Sequence, residues 1–313
     1  MSNYSSLMRA IVGNIEKVII GKHNSVVLAV IALCSGGHVL IEDPPGVGKT
    51  SLAAALAKSV DGSFKRIQFT SDILPSDITG FSMYNQKYGE FEFKQGAVMS
   101  QFVLADEINR TSPKTQASLL EVMEEKQVTV DGQTHSVPLP FMVLATQNPI
   151  DYLGTFPLPE AQLDRFMMKI SLGYPDFAQE VKMLSRFKAV NPLEKLYPVA
   201  TDKDILDIQK ESRNIFVHDL ILNYLMNIIH ATRQHKNILL GVSPRASLSL
   251  FNAARALALY NDRTYCIPED VKRLASPVLA HRLILNQESS MKNITKTSII
   301  NEVVDSISVP SVS

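Results

Sequence analysis

One segment near the N-terminus carries the residues needed to hold a chain of phosphate groups. An apolar run, His38–Ile41, is followed by a turn with two glycines and then by a helical pattern. Backbone N–H groups of such a turn, together with the helix N-terminus, bind phosphate oxygens. The Lys49 ammonium would neutralise β- and γ-phosphate oxygens, and the Thr50 hydroxyl would ligate Mg²⁺. The residues assigned to nucleotide binding here are Asp43, Pro44, Pro45, Gly46, Val47, Gly48, Lys49, Thr50 and Ser51.

The first position of this segment departs from the usual pattern. The phosphate-loop pattern G-x-x-x-x-G-K-[ST] begins with glycine, whereas this chain has Asp43. Aspartate adopts the left-handed turn conformation more readily than most residues, so the loop could tolerate it. A glycine-containing turn that merely precedes a helix is the alternative. The preceding strand, the following helix and the intact Gly48-Lys49-Thr50 favour the phosphate loop.

A second candidate group is a pair of acids that ends an apolar strand. Phe102–Leu104 is followed by Ala105 and then by Asp106 and Glu107. The carboxyl ends of parallel strands meet at one edge of a sheet, where ligands bind. We therefore expect Asp106 to hold Mg²⁺ through its water shell, and Glu107 to act as general base on the attacking water. Carboxylates often end strands, so the phosphate loop upstream is what makes this pair significant.

The next predicted strand, Phe141–Ala145, also ends in polar residues. Asn148 could hydrogen-bond both the γ-phosphate and the attacking water without adding charge. Gln147 is the competing candidate for this role. A simple turn before Pro149 is the alternative without function.

Short apolar runs that alternate with helical patterns predict a three-layer α/β domain with a mostly parallel, five-stranded sheet. The runs are continuously apolar, as expected of strands covered on both faces. The predicted strands are His38–Ile41, Arg66–Phe69, Phe102–Leu104, Phe141–Ala145 and Met167–Ile170. The predicted helices between them are Asn24–Cys34, Lys49–Ser59 and Pro113–Glu125.

Two insertions into this alternation are predicted to be β-hairpins. Gly80–Lys94 has alternating aromatic residues, and Gln127–Leu139 contains Asp131-Gly132, a strong hairpin-turn pair. Neither is needed to complete the sheet. Each could project to meet a partner or be surface decoration. The aromatic side chains of the first hairpin could grip a client or pack on the domain; they are Phe81, Tyr84, Tyr88, Phe91 and Phe93.

After residue 173 the pattern becomes helical throughout. Asp176 with Gln179 and Thr201 with Asp204 have the spacing of helix caps, and Ser243 precedes a proline at the first helical position. We therefore predict two domains, an α/β nucleotide-binding core over residues 1–173 and a small all-α domain over residues 174–313.

Composition excludes several other classes of protein. The chain has 313 residues and a formal net charge of zero, which argues against a protein that coats nucleic acid. Cys34 and Cys266 form neither a disulfide framework nor a zinc site, and the seven histidines include no HExxH pair. The longest apolar run, Val26–Cys34, is too short to span a bilayer. We expect a soluble cytoplasmic protein that neither enters a membrane nor binds nucleic acid.

Four motifs together resemble the MoxR family of AAA+ ATPases. They are DPPGVGKT, VLADEINR, ATQNP and, most specifically, the stretch GTFPLPEAQLDRF at Gly154–Phe166. The resemblance extends from about Glu16 to about Leu283, and aspartate at position 43 is not unusual in that family. It implies an AAA+ P-loop NTPase core followed by a small all-α lid, with ATP as substrate and Mg²⁺ as cofactor. The two hairpins lie where that group of ATPases has its insertions.

The resemblance also implies roles for individual residues. Lys49 and Thr50 match Walker A, Asp106 and Glu107 match Walker B, and Asn148 matches sensor 1. Arg165 matches the arginine finger, which reaches a neighbouring subunit's nucleotide. Arg245 matches sensor 2, and its position in the lid suggests that it senses the γ-phosphate as the lid moves. Ile20 and Gly21 occupy the adenine-side position. Ion pairing of Arg165 with Asp164 or Glu160, and a plain helix-start role for Arg245, are the structural alternatives.

An arginine that acts on a neighbour's nucleotide requires a closed ring. The resemblance implies a homo-hexamer with an ATP-driven, chaperone-like role, and protein clients or von Willebrand A-domain proteins as partners. Two other functions stay open. A nucleic-acid motor is disfavoured by the neutral charge. A nucleotide-gated scaffold without turnover is disfavoured by the presence of Glu107, Asn148 and Arg165.

Overall fold

The computed structural model describes residues 3–149, 154–187 and 192–310. The two ends of the predicted domain ranges, residues 1 and 313, lie outside these residues. The strands are β1 (Val39–Glu42), β2 (Phe64–Gln68), β3 (Gly80–Asn85), β4 (Glu90–Gln95), β5 (Phe102–Asp106), β6 (Gln127–Val130), β7 (Gln133–Ser136), β8 (Met142–Gln147), β9 (Met168–Ile170), β10 (Ile238–Leu240) and β11 (Ile284–Leu285).

Helices make up most of the remainder. They are α1 (Asn3–Ile15), α2 (His23–Cys34), α3 (Lys49–Ser59), α4 (Pro75–Thr79), α5 (Pro113–Glu125), α6 (Glu160–Leu163), α7 (Phe177–Phe187), α8 (Asp202–Asn214), α9 (Asp219–Gln234), α10 (Pro244–Tyr260), α11 (Pro268–Leu279), α12 (Gln287–Met291) and α13 (Lys296–Ser306), with single 3₁₀ turns at Ile108–Arg110 and Ala280–Arg282.

The central sheet has five strands in the order β2-β5-β8-β1-β9. Every pair in it is parallel, so the sheet is wholly rather than mostly parallel. All five predicted strands are confirmed, with ends displaced by one or two residues. The parallel order brings the carboxyl ends of β1, β5 and β8 together at one edge.

Alternate residues along each strand enter different hydrophobic clusters. On β5, Phe102 and Leu104 pack with α2 and α3, whereas Val103 and Ala105 pack with α5. This alternation produces the three layers that continuous apolar strands predict. Helices α3 and α5 have the predicted bounds, and the Ser112 side chain caps α5.

Both insertions are two-stranded antiparallel hairpins outside the central sheet, as predicted. Asp131 and Gly132 both have positive φ, which suits the tight turn that this pair favours. The hairpins meet where the rings of Phe93 and His135 stack with centroids 4.0 Å apart. The other four aromatics of the first hairpin are about half exposed or more: Phe81, Tyr84, Tyr88 and Phe91.

The second half is helical, with one addition that the sequence did not reveal. A short antiparallel ladder joins β10 to β11. The expected caps at Asp176, Thr201 and Ser243 are present. Helices α1 and α2 pack against α8 and α10, so one hydrophobic cluster extends from the first half into the second. None of the helices in the described part of the chain has both the length and the apolar character that crossing a membrane needs.

Candidate functional site

The phosphate loop connects β1 to α3 at the carboxyl edge of the sheet. Gly46 and Gly48 have φ of 84° and 98°, a region that L side chains rarely adopt. Gly48 is also the residue before α3, so the free N–H groups of the first helical turn face the loop. The adjoining cavity of about 370 Å³ is lined by Pro45, Gly46, Gly48, Lys49, Thr50, Ser51, Arg66, Gln68, Asp106 and Glu107.

Lys49 is buried at the base of this cavity. Its Nζ donates to the Asp43 carbonyl oxygen at 2.7 Å, which holds the amine inside the loop. Burial lowers the pKa of Lys49, and the nearby carboxylates of Asp106, Asp43 and Glu107 act in the opposite direction. A phosphate oxygen that replaced the carbonyl would give the ammonium a charged partner.

Asp43 belongs to the loop through its backbone but not through its side chain. Its φ is not in the left-handed region, so the loop does not need glycine here. The carboxylate is directed away from the phosphate cavity and is almost completely buried, with 2% of the residue exposed. Pro44 lies in the loop without lining the cavity, and Val47 faces a second cavity on the other side of the loop.

The acid pair lies opposite the loop, as its position after β5 predicts. Asp106 Oδ1 accepts a hydrogen bond from Thr146 Oγ1 at 2.6 Å, and the same hydroxyl accepts from the Glu107 N–H at 2.8 Å. Glu107 has φ of 59°, which is unusual for a residue other than glycine. Thr146 therefore holds the carboxylate of Asp106 and the backbone of Glu107 at the edge of the sheet.

Three polar residues that we did not assign from the sequence also contact the acids. Arg66 on β2 donates to Asp106 Oδ2 through Nη2 at 2.6 Å and Nε at 3.2 Å. Gln68 Nε2 donates to Glu107 Oε2 at 3.1 Å, and Arg110 Nε pairs with the same oxygen at 3.1 Å. The sequence contained one signal for these contacts, the spacing of Arg66 and Gln68. Residues two apart on a strand share a face of the sheet, so both side chains lie on the same side of β2.

The donors at the cavity suit a magnesium ion. Thr50 supplies a hydroxyl and Asp106 a carboxylate, and both line the same cavity. Hard oxygen donors with room for several waters are what Mg²⁺ prefers. The Arg66 guanidinium pairs with Asp106 Oδ2, so a positive charge already lies where the cation would bind.

A second cavity of about 370 Å³ lies on the other side of the loop, where the family resemblance predicts the adenine, and we call it the base-side cavity. Ile20 lines it, together with Tyr174, Pro175 and Gln179 from the start of the second half. Gly21 does not line it. Gly21 has φ of 73°, and a Cβ there would collide with the Gln179 side chain. Gly21 thus permits the close approach of the α7 region that forms one wall of the cavity.

The two predicted arginines lie together and away from the phosphate cavity. Arg165 Nε lies 3.3 Å from Glu124 Oε2, and Arg245 pairs with Glu124 Oε1. All three residues line a separate cavity of about 210 Å³. The ion pair of Arg165 is with Glu124 and not with Asp164 or Glu160, the partners considered as the structural alternative. Asn148 directly follows β8, at the expected edge, but does not line the phosphate cavity.

A hydrogen-bond network explains why Arg245 lies beside Arg165. Ser243, the cap of α10, donates to both carboxylate oxygens of Asp164 at 2.8 and 3.0 Å. The buried Arg282 also pairs with Asp164 at 3.0 Å and donates to the Phe166 carbonyl at 2.8 Å. Burial lowers the pKa of Arg282 to about 10, against the opposing effect of Asp164. The start of α10 is therefore tied to the loop of Arg165, and Arg245 does not line the phosphate cavity of its own chain. Its role as a sensor of the γ-phosphate stays a prediction.

Comparison with known proteins agrees with this architecture. The family model for the ATPase family associated with various cellular activities (AAA) matches residues 38–168, and the AAA lid domain model matches residues 230–303. A Mycobacterium tuberculosis protein, Chaperone MoxR1, is 41% identical over 98% of this chain and 83% of its own length. The chain belongs to the MoxR family of AAA+ ATPases.

Two further relatives of this MoxR-family chain also match almost its whole length. The Bacillus subtilis protein YeaC is 50% identical over 97% of this chain and 95% of its own length. The crystal structure of a Cytophaga hutchinsonii protein described as an ATPase superimposes with a TM-score of 0.91 and 40% identity, covering 98% of this chain and 96% of that one. The predicted family and the predicted fold, an AAA+ core with a helical lid, are both confirmed.

Proposed function

We propose that this MoxR-family protein hydrolyses ATP with Mg²⁺ at the interfaces between chains of a closed ring, which the family resemblance suggests is a hexamer. The observation that carries the proposal is the separation of two groups in one chain. Lys49, Asp106 and Glu107 line the phosphate cavity, whereas Arg165 and Arg245 converge on Glu124 elsewhere. Two guanidiniums side by side suit a triphosphate, and a neighbouring chain can supply one.

The loop residues would bind and orient the triphosphate. Backbone N–H groups around Gly46 and Gly48 would donate to its oxygens, and Lys49 would exchange the Asp43 carbonyl for β- and γ-oxygens. Thr50 and Asp106 would hold Mg²⁺, which neutralises charge on the phosphate oxygens when bound. Ile20 and the base-side cavity would accept the adenine.

Glu107 would act on the attacking water. The water oxygen bonds to the γ-phosphorus as the bond from that phosphorus to the bridging oxygen breaks, and Glu107 accepts the water proton. Gln68 and Arg110 both contact Glu107 Oε2, so they would hold the carboxylate in place. Asn148 would hydrogen-bond the γ-phosphate or the water from the end of β8.

Arg165 would stabilise the charge that develops on the neighbour's γ-phosphate, a contribution of roughly 10³–10⁵ in rate for arginines supplied in this way. Arg245 would act beside it, because Ser243 and Asp164 tie the two segments together. We therefore assign both arginines to the neighbouring chain's site. This revises the expected lid-based role of Arg245 to one in trans.

The work of the ring would be the remodelling or maturation of partner proteins in the cytoplasm, where ATP is abundant. The name of Chaperone MoxR1 supports a protein client, and the resemblance suggests von Willebrand A-domain proteins as partners. The exposed aromatics of the first hairpin provide an apolar surface suited to protein contact; they are Phe81, Tyr84, Tyr88 and Phe91.

The decisive experiment combines steady-state ATP hydrolysis with molar mass by light scattering, across protein concentrations, with and without Mg²⁺. We expect specific activity to rise as the mass approaches that of a hexamer. A monomer that hydrolyses ATP as fast would exclude the shared site.

A Glu107→Gln variant should bind ATP and lose about 10²–10⁴ in turnover. Glu121→Gln, an exposed glutamate on α5, is the matched control and should match wild type.

A further inference from the structure

The carboxylate of Asp43 is fully occupied by the segment that joins the two halves of the chain. Oδ1 accepts from Ser171 Oγ at 2.6 Å and from the Gly173 N–H at 3.0 Å. Oδ2 accepts from the Leu172 N–H at 2.6 Å. Charge-assisted hydrogen bonds to a buried carboxylate are among the stronger ones in proteins. A glycine, which the phosphate-loop pattern specifies at this position, could make none of them.

The segment bound by Asp43 leads directly into the wall of the base-side cavity. Residues 171–173 are followed by Tyr174 and Pro175, which line that cavity together with Gln179. Gly173 has φ of 60°, so the chain turns sharply at the last residue that Asp43 holds. Two further contacts fix the same stretch, from Ser25 Oγ to the Ser171 carbonyl at 2.6 Å and from Lys22 Nζ to the Tyr174 carbonyl at 2.8 Å.

Asp43 thus connects the two parts of the nucleotide site. Its carbonyl holds Lys49 on the phosphate side, and its side chain holds residues 171–173 on the base side. The cavities on the two sides share Gly46, Gly48 and Ser51 of the loop. A single bound nucleoside triphosphate would need both sides at the correct separation.

We propose that Asp43 is a positioning residue for base recognition, which sets the base-side wall against the phosphate loop for a nucleoside triphosphate. The departure from the glycine pattern is then functional, and restoring the glycine impairs the site. This inference rests on the proposed binding of ATP by the loop. It concerns the side chain alone, because the backbone of Asp43 needs no left-handed conformation.

The test compares two probes in the presence of Mg²⁺ by calorimetric titration. ATP uses both sides of the site, whereas inorganic tripolyphosphate uses only the phosphate side. In Asp43→Gly we expect tripolyphosphate affinity within about twofold of wild type, and ATP affinity reduced roughly tenfold or more. Ser171→Ala removes one of the three hydrogen bonds and should give a smaller loss, again confined to ATP.

The outcomes are separable. If Asp43→Gly loses affinity equally for ATP and for tripolyphosphate, or loses no affinity for ATP, the proposed role of Asp43 is overturned. Failure of the wild-type protein to bind either probe would instead overturn the proposed function. If Asp43→Gly does not fold, Asp43→Asn serves, because its amide nitrogen replaces one of the two accepting oxygens and so presents a donor to the backbone N–H of Leu172 or of Gly173. Hydrogen exchange at the amides of residues 171–174 should then rise in the variant, and unchanged exchange would contradict the proposal.

Discussion

Each acid at the carboxyl edge of the sheet already has a cation beside it in the chain. Arg66 pairs with Asp106, and Arg110 pairs with Glu107. The Arg66 guanidinium and the water shell of a bound magnesium ion would compete for Asp106 Oδ2, so we expect binding of the metal to displace Arg66. This competition between Arg66 and Mg²⁺ involves one side chain, so a single substitution can measure it.

We expect Arg66→Gln to lower the Mg²⁺ concentration at which ATP binding is half-maximal. Arg66 is about half exposed, at 48%, so the effect should be that of an exposed ion pair, about 1.4- to 5-fold. The measurement is ATP binding by calorimetry over a Mg²⁺ titration. Arg110→Gln is the matched control, since its partner is Glu107, and its Mg²⁺ requirement should equal that of wild type. An increased requirement in Arg66→Gln would show that Arg66 assists the metal.

At this scale, the sequence predicted the residues that line the cavity beside the loop and missed those that pair with other side chains. Lys49, Asp106 and Glu107 were found because their chemistry follows from type and position. Arg66 and Glu124 were not, because pairing between distant residues depends on strand order and helix placement. The contacts of the Asp43 side chain were not predicted, for the same reason: its partners at residues 171–173 are remote in sequence.

Among the elements, the loop of Arg165 and the start of α10 behave as one unit. Glu124, at the end of α5, brings their two guanidiniums together. Without the Glu124 carboxylate between them, the two neighbouring guanidiniums would repel each other. The arrangement of this pair therefore depends on an element that belongs to neither of them.

We expect Glu124→Gln to reduce turnover about three- to tenfold without weakening ATP binding in the same chain. Its own phosphate cavity contains neither arginine. The measurement is ATP hydrolysis in mixtures of Glu124→Gln chains with chains that carry Lys49→Ala. Subunits with Lys49→Ala lack a working loop but retain Glu124 and both arginines, so adding them should restore part of the activity.

The same complementation should hold for Arg165→Ala mixed with Lys49→Ala. If neither mixture recovers activity above the sum of its components, the arginines do not act between chains. The Ser243→Ala variant should resemble Glu124→Gln, because it loosens the start of α10 from Asp164.

The two hairpins should also respond as a pair. Phe93→Ala removes the stack with His135, and such aromatic pairs contribute about 0.5–1.5 kcal/mol. We therefore expect the rate of backbone hydrogen exchange to rise about 2- to 10-fold in both hairpins, β3–β4 and β6–β7. Phe91→Ala, on the same strand but 74% exposed, is the control and should affect only its own hairpin. Hydrogen exchange by mass spectrometry distinguishes the two, and equal behaviour of both variants would exclude coupling through the stack.

Local signals were sufficient to predict most elements. The bounds of α3 and α5 follow from the glycine before one and the serine cap before the other, and both hairpins follow from their turn residues. The ladder between β10 and β11 could not be found, because its strands are two or three residues long and lie far apart in sequence. The position of α1 against α10 is likewise a result of tertiary packing.

For the whole molecule, two buried histidines make stability depend on acidity. Burial lowers the pKa of His38 from 6.5 to about 4, and that of His281 well below 6.5. The unfolded chain therefore binds more protons below about pH 6.5, so the folded state loses stability as pH falls toward the folded pKa. His38 should reduce the free energy of unfolding by about 2 kcal/mol between about pH 7 and pH 5, and His281 should act in the same direction.

Urea unfolding at several pH values tests this expectation. His38→Gln should make the free energy of unfolding less dependent on pH, whatever its effect on stability at neutral pH. The control is His230→Gln, at an exposed histidine on α9, which should leave this dependence unchanged. Stability that is constant over this range in the wild-type protein would show that the buried rings take up protons without cost.

The hydrophobic cluster shared by α1, α2, α8 and α10 has a consequence for protein engineering. Polar contacts reinforce it, since Ser5 Oγ donates to the Tyr260 carbonyl at 3.0 Å and Gln209 Nε2 to the Leu33 carbonyl at 2.8 Å. A fragment cut after residue 173 would leave the apolar faces of α1 and α2 in water. Chimeras between relatives that exchange only the C-terminal half should therefore be prone to aggregation. Those that also exchange the first two helices should keep a matched interior.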